Sequence, residues 1–173
     1  MQGNQVEFEV KPALCLDLDG TIRYSRSGDF INKIEDIALY DGVEEVIWGY
    51  RERGYLIFGI TNQGGVAYKF KSIQVVEDEI AATRMLFESD PFDAVQFSVL
   101  HPDGNNSPFN RKTFMRKPEI GMLALCEAQM FQKGVIIDWE NSIFVGDRPE
   151  DEECAQRAGI EFIWVKKFFH RDE

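Results

Sequence analysis

The sequence predicts an α/β fold, a doubly wound parallel sheet covered by helices on both faces. Short apolar runs alternate with helix-length amphipathic segments, the pattern of crossovers between parallel strands. Two of those runs, residues 13–16 and 55–60, are apolar throughout, as strands buried on both faces must be. Acidic or hydroxyl residues come directly after several runs, at the strand ends where α/β sheets collect ligands.

Residues 6–10 alternate in polarity and predict an edge strand ahead of the fold. The first core strand is expected over 13–17. Residues 22–40 read as an irregular polar segment, with Gly28 and Asp29 at a turn; it is either a flap over the strand ends or a plain surface connection. Asp41 or Gly42 begins a helix to Arg53, with Val43, Val46, Ile47 and Tyr50 on one face and Gly54 stopping it. The second strand, 55–60, delivers Thr61-Asn62-Gln63-Gly64-Gly65. Ser72 caps a long helix that carries Ile73, Val76, Ile80 and Phe87 and ends before Pro91. A third strand spans 93–100 and a loop 101–115. Pro118 suits the first turn of the next helix, which Gly134 closes. Strand four, 142–145, runs into Gly146-Asp147. A helix over 149–158 and a fifth strand over 162–165 complete the pattern, and the tail from residue 166 is charged apart from Phe168 and Phe169.

A chain of 173 residues suits a single domain, 1–173, with its core over about 13–165. Hydrophobic residues at 44% and charged residues at 28% are ordinary for a soluble protein. No apolar run is long enough to span a bilayer, and residues 1–11 lack the basic-then-apolar order of a signal peptide. Cys15, Cys126 and Cys154 form no CxxC pair. Reduced thiols and a cytoplasmic location are therefore expected. The net charge of −11 argues against a broad nucleic-acid footprint. It also means that an anionic substrate needs locally concentrated positive charge or a metal.

The chemistry begins at Asp17-Leu18-Asp19-Gly20-Thr21. Two carboxylates at one strand end repel unless a cation or a shared proton relieves them. Alone, the motif reads equally as an acidic turn. Downstream partners tip the balance: Thr61-Asn62 after the second strand, Arg116-Lys117-Pro118 at a helix start, then Gly146-Asp147 with Asp151 one helical turn beyond. Singly, Thr61-Asn62 is a turn, Lys117 a solvated helix start and Asp147 a helix cap. A lysine is not the favoured charge at a helix N-terminus, however, and the backbone N–H groups after Thr61 suit a phosphate oxygen.

In type, order and spacing these motifs resemble the haloacid dehalogenase (HAD) superfamily of Mg²⁺-dependent phosphohydrolases, over about residues 13–165. The resemblance implies a Rossmann-like core and phosphomonoester hydrolysis through an aspartyl-phosphate. Asp17 is then the nucleophile. Asp19 protonates the leaving alcohol and afterwards activates water, a role that calls for an upward pKa shift. The metal is held by Asp17, the Asp19 backbone carbonyl and Asp147, with Asp151 supporting its waters; Mg²⁺ suits such hard oxygen ligands. Thr61, Asn62 and Lys117 take the phosphate, Lys117 offsetting transition-state charge.

Ile60-Thr61-Asn62-Gln63-Gly64-Gly65, Arg116-Lys117-Pro118 and Gly121-Met122 further resemble the histidinol-phosphatase and heptose-bisphosphate-phosphatase branch, to which polynucleotide 3′-phosphatase domains are related. These are capless, and neither 20–40 nor 101–115 is long enough here for a separate cap domain. Many of the branch carry a zinc loop; this chain has Ser98, Leu100, Thr113 and Met115 at the ligand places, so no structural zinc is expected. Arg111, Lys112, Arg116 and Lys117 form a basic cluster with Phe109 and Phe114 between them. Arg116, whose planar fork matches phosphate oxygens, is the candidate there for a substrate contact. The expected partner is a small phosphorylated metabolite. A nucleic-acid 3′ end is the alternative, and a non-catalytic phosphate-binding protein a further one.

Overall fold

The computed structural model describes residues 7–28, 30–31 and 33–171. The chain opens with β1 (Glu9–Lys11), then β2 (Ala13–Leu16). A hairpin of β3 (Arg23–Ser25) and β4 (Ile37–Leu39) comes after them. Next are α1 (Val43–Glu52), β5 (Leu56–Asn62), α2 (Ile73–Met85) and β6 (Ala94–Ser98). The second half holds α3 (Gly121–Gln132), β7 (Val135–Ile137), β8 (Ile143–Gly146), α4 (Pro149–Ala158), β9 (Glu161–Trp164) and a short α5 (Val165–Phe168).

The central sheet has the order β6-β5-β2-β8-β9, and every pair in it is parallel. β2 lies at its centre and is fully buried at all four positions. Its side chains alternate between two cores, as the two-residue period of a strand requires. Ala13 and Cys15 join Met122, Cys126 and Met130 of α3 and Cys154 of α4. Leu14 and Leu16 join Val43 and Ile47 of α1, Val76 and Ile80 of α2, and Val165. Helices thus cover both faces, as the strand–helix alternation predicts. The chain moves outward from β2 through β5 to β6, then returns to β8 on the other side. The topological switch point therefore lies between β2 and β8, where such sheets bind ligands.

The differences from the sequence-based expectation are local. Only the end of the alternating run at residues 6–10 falls in a strand: β1 takes Glu9–Lys11, and it pairs with β7 in a separate two-stranded sheet; residue 6 lies outside the described residues. The pattern does not reveal β7, a strand of only three residues behind Gly134. Residues 22–40 contain a hairpin, closed by Arg23–Leu39, Tyr24–Ala38 and Ser25–Ile37 pairing; the Asp29 turn lies outside the described residues. Ser72 caps α2 as expected, accepting from the Val75 N–H at 3.2 Å. Pro118 does not open α3. The Lys117-Pro118 peptide is cis, Gly121 N–H donates to the Phe114 carbonyl, and the helix begins only at Gly121. The tail is not merely charged: Phe168 and Phe169 pack on the core beside Tyr50. No helix among the described residues is long and apolar enough to cross a membrane.

Candidate active site

β2 and β8 end side by side, and the site is built on the residues just past each end. The Asp17 N–H donates to the Val145 carbonyl at 3.0 Å, continuing the parallel register one residue past β2. The chain then turns sharply, with the Leu18 carbonyl accepting from the N–H groups of Thr21, Ile22 and Arg23. Gly20 makes the turn at φ +84°, a conformation that L side chains rarely adopt. A Cβ there would collide with the Asp147 carboxylate, so this glycine also lets the two acidic strand ends approach.

Carboxylate oxygens of Asp17, Asp147 and Asp151 lie within 4.8 Å of one another. Asp151 stands in the first turn of α4, where its Oδ2 accepts from the Arg148 N–H at 3.1 Å. Gly146 has no room for a side chain against it. Lys117 enters from the far side, 3% exposed, with its Nζ 2.6 Å from Asp17 Oδ1 and 2.6 Å from Asp151 Oδ1. A third contact, 2.7 Å to the Ile60 carbonyl, completes its donor set. Three clustered acids against one ammonium leave a shortfall of about two positive charges, the charge of one divalent cation. Burial, first of all, pushes the Asp17 carboxyl up to about 7, against the pull of Lys117 and with Asp151 adding to the rise. Asp147 is also raised, mainly by burial. Its Oδ1 is buried and accepts no hydrogen bond among the described residues; the nearest cation, Arg148 Nε, stands 3.9 Å away. An orphaned carboxylate oxygen beside two more carboxylates fits a hard cation.

Asp19 points elsewhere. Arg23 Nε donates to its Oδ1 at 2.9 Å, and Gln63 Nε2 to its Oδ2 at 2.6 Å. Burial would raise this acid, but the Arg23 charge and these hydrogen bonds outweigh burial and hold it below the ordinary carboxylate value. The upward shift expected for Asp19 is therefore reversed in this conformation.

Thr61 and Asn62 lie at the end of β5 itself rather than beyond it. The buried Thr61 hydroxyl accepts from Gln63 Nε2 at 2.9 Å, which leaves its own proton to donate. Both ends of the Asn62 amide are engaged by the Lys117 backbone: Nδ2 donates to its carbonyl and Oδ1 accepts from its N–H, each at 3.0 Å. Asn62 thus holds Lys117 in place instead of reaching outward. Arg116 is half-buried, with Nη1 3.4 Å from the Leu100 carbonyl and beside the backbone of Gly64. Gln63, Arg23 and Thr21, whose hydroxyl donates to Asp17 Oδ2 at 3.2 Å, also belong to the site. Gln63 and Arg23 carry no signal of their own in the sequence; Gln63 is legible only as the residue after Thr61-Asn62, and a buried arginine in a polar segment is not legible at all.

A parallel sheet with a lysine-braced cluster of carboxylates at its switch point defines a class, the HAD-type phosphohydrolases. The model of the polynucleotide kinase 3 phosphatase family matches residues 13–169, and the chain belongs to that family. It is 34% identical over 165 residues to the D-glycero-D-manno-heptose-1,7-bisphosphate 7-phosphatase of Chlorobaculum tepidum, covering 92% of this chain and 80% of that one. A D-glycero-beta-D-manno-heptose-1,7-bisphosphate 7-phosphatase from Photorhabdus laumondii is 30% identical, covering 86% and 77%. Among solved structures, a candidate HAD-like phosphatase from Mesorhizobium loti superposes with a TM-score of 0.76 at 26% identity, over 91% of this chain and 73% of that one. The D,D-heptose 1,7-bisphosphate phosphatase of B. bronchiseptica, complexed with magnesium and phosphate, shares the fold at a TM-score of 0.61 and 21% identity, over 89% and 78%. The chain is accordingly a HAD-superfamily phosphatase.

Proposed function

We propose that the chain is a Mg²⁺-dependent phosphomonoester hydrolase acting on a small sugar phosphate through an aspartyl-phosphate on Asp17. The observation that carries this reading is the convergence of Asp17, Asp147 and Asp151 on one another and of Asp17 and Asp151 on Lys117. Asp17, the Asp19 backbone carbonyl and Asp147 would hold the ion, with Asp151 supporting its waters, and the ion would supply the positive charge that lets a carboxylate meet a phosphate dianion. Asp17 attacks phosphorus, forming an O–P bond as the bond to the leaving oxygen breaks, and that oxygen takes a proton from Asp19. A water then gives a proton to the Asp19 carboxylate and attacks the same phosphorus, freeing Asp17 and inorganic phosphate. Lys117 and the Thr61 hydroxyl stabilise the transferring group. The heptose-bisphosphate names of the relatives support a sugar phosphate as the substrate class.

A second reading, a nucleic-acid 3′-end phosphatase, draws on the matched family's description and on Arg111 and Lys112 near the exposed Phe114. The net charge of −11 weighs against it. Hydrolysis of p-nitrophenyl phosphate, with and without Mg²⁺ and with Asp17→Asn, tests the chemistry. A panel of sugar phosphates, histidinol phosphate and 3′-phosphorylated oligonucleotides tests the substrate. Turnover that persists in the Asp17 variant, or that ignores chelation, would refute the mechanism; preference for the oligonucleotides would favour the second reading.

A further inference from the structure

Behind Asp19 stands a buried cation that the proposed reaction does not use. Arg23 opens β3 and is fully buried. Its Nε donates to Asp19 Oδ1 at 2.9 Å and its Nη2 to Asp19 Oδ2 at 3.3 Å, a two-pronged grip on one carboxylate. Its Nη1 reaches the other way, into α2, donating to Thr83 Oγ1 at 2.6 Å and to the Glu79 carbonyl at 3.1 Å. Thr83 is fixed in turn by donating to that same carbonyl at 2.7 Å. The Glu79 carboxylate is occupied elsewhere, accepting from Lys71 Nζ through both oxygens at 2.7 and 2.8 Å. Asp19 is therefore the ion-pair partner of Arg23 among the described residues.

The pair is asymmetric. The Asp19 side chain is 37% exposed and the Arg23 side chain 0%. The carboxylate is partly exposed and the buried guanidinium braces it from within. Bidentate arginine–carboxylate contacts fix orientation as well as charge. The brace is seated on a helix of 13 residues rather than on a loop, and sites held by rigid elements keep their geometry best. Gln63 closes the other flank of Asp19 and ties it to Thr61.

We propose that Arg23 is a positioning residue for the reaction: anchored on α2 through Thr83, it fixes the Asp19 carboxyl where it exchanges a proton with the leaving oxygen. This rests on the reading of Asp19 as the acid–base group. In the substrate-free site Arg23 keeps Asp19 ionised; the negative charge of a bound phosphate favours the protonated form, and as the Asp17 O–P bond forms and the P–O bond to the leaving group breaks, the departing oxygen takes that proton. Without Arg23 the carboxyl turns freely, and an alkoxide must depart with less help. An aryl oxide such as p-nitrophenolate leaves without a proton and is spared.

The test is kcat/KM across a series of alkyl and aryl phosphates, which reports the step up to phosphoryl transfer. It is measured for the wild type, Arg23→Gln, Arg23→Lys and Thr83→Val, with melting temperature alongside. Arg23→Gln should lose roughly tenfold or more on alkyl phosphates and less than about threefold on p-nitrophenyl phosphate. Arg23→Lys should recover part of the alkyl loss. Thr83→Val, nearly isosteric, should move the alkyl-to-aryl ratio the same way by roughly threefold. An equal loss on both substrate classes in folded variants overturns the proposal. If Arg23→Gln does not fold, an unmoved ratio in Thr83→Val overturns it instead. An active wild type, an inactive Asp17→Asn and an unchanged leaving-group profile would sink the role of Arg23 alone; a wild type without phosphatase activity would sink the proposed function, and this role with it.

Discussion

Lys117 Nζ lies 2.6 Å from Asp17 Oδ1, although a hundred residues separate the two in sequence. Buried ion pairs are costly to break, because the surviving charge is left without a partner in a poorly solvating interior. Here the loss would be compounded, since Asp151 relies on the same ammonium. Lys117→Met should lower kcat by about 10²–10³-fold and destabilise the metal-free protein by about 3–5 kcal/mol at pH 8. The stability deficit should shrink as the pH falls through about 7, where the Asp17 carboxyl takes up a proton. Urea unfolding at several pH values, beside steady-state kinetics, checks both; a pH-independent deficit would contradict the charge argument.

Metal binding should be coupled to proton release. The folded, metal-free Asp17 carboxyl is raised from 3.8 to about 7, chiefly by burial. A group raised in this way lends its full stability below pH 3.8 and loses it as the pH climbs through about 7. A divalent ion binds the ionised form and reverses that loss. Mg²⁺ affinity should therefore rise with pH and level off above about 7, with protons released below that point. Calorimetric titration of Mg²⁺ at pH 6, in two buffers of different ionisation enthalpy, measures the release. Equal heats in both buffers would show that Asp17 is already ionised.

Gly20 owes its place to two constraints at once, its φ of +84° and the Asp147 carboxylate where a Cβ would stand. Gly20→Ala should cost about 1–2 kcal/mol in backbone strain alone and in addition push Asp147 away from Asp17. The signature is an Mg²⁺ requirement raised roughly tenfold or more with the fold retained. Mg²⁺ titration of activity and circular dichroism read the two effects separately, and Gly42→Ala serves as the control, because a Cβ at Gly42 meets nothing within 4 Å despite a φ of +76°.

How far each residue can be read from the sequence depends on what positions it. Asp17 and Asp147 follow strands whose apolar runs are unmistakable, so the parallel sheet gathers them at one edge; that they share a site is legible only when the other motifs are read with them. Lys117 reads as a helix start, yet α3 begins only at Gly121 and the lysine is pulled inward from a turn. Its burial depends on a clamp from β5 that no local pattern records. Arg23 is less legible still: in sequence it belongs to a polar connection, and only the packing of α2 against the hairpin makes it a buried cation. The direction of the Asp19 shift is opaque for the same reason. β7 and α5, at three and four residues, are too short to develop a periodicity. Where a strand's own composition dictates its position the fold can be read; where one side chain is placed by another element's packing it cannot.

The clamp leads to a last prediction. Asn62 offers its amide N–H to the Lys117 carbonyl and its amide oxygen to the Lys117 N–H, each at 3.0 Å, joining the end of β5 to the turn before α3. Asn62→Asp keeps the acceptor but places a carboxylate against a carbonyl; Asn62→Ala removes both bonds. Hydrogen bonds of this kind are each worth about 1 kcal/mol, so the Ala variant should lose roughly tenfold in kcat as Lys117 drifts from Asp17. KM for a small phosphate ester should change less than about twofold, because the amide is engaged by the protein and not by substrate. Asn62→Asp should be as impaired or worse. A KM increase that dominates the kcat loss would mean instead that Asn62 turns outward during the reaction and touches the phosphate directly.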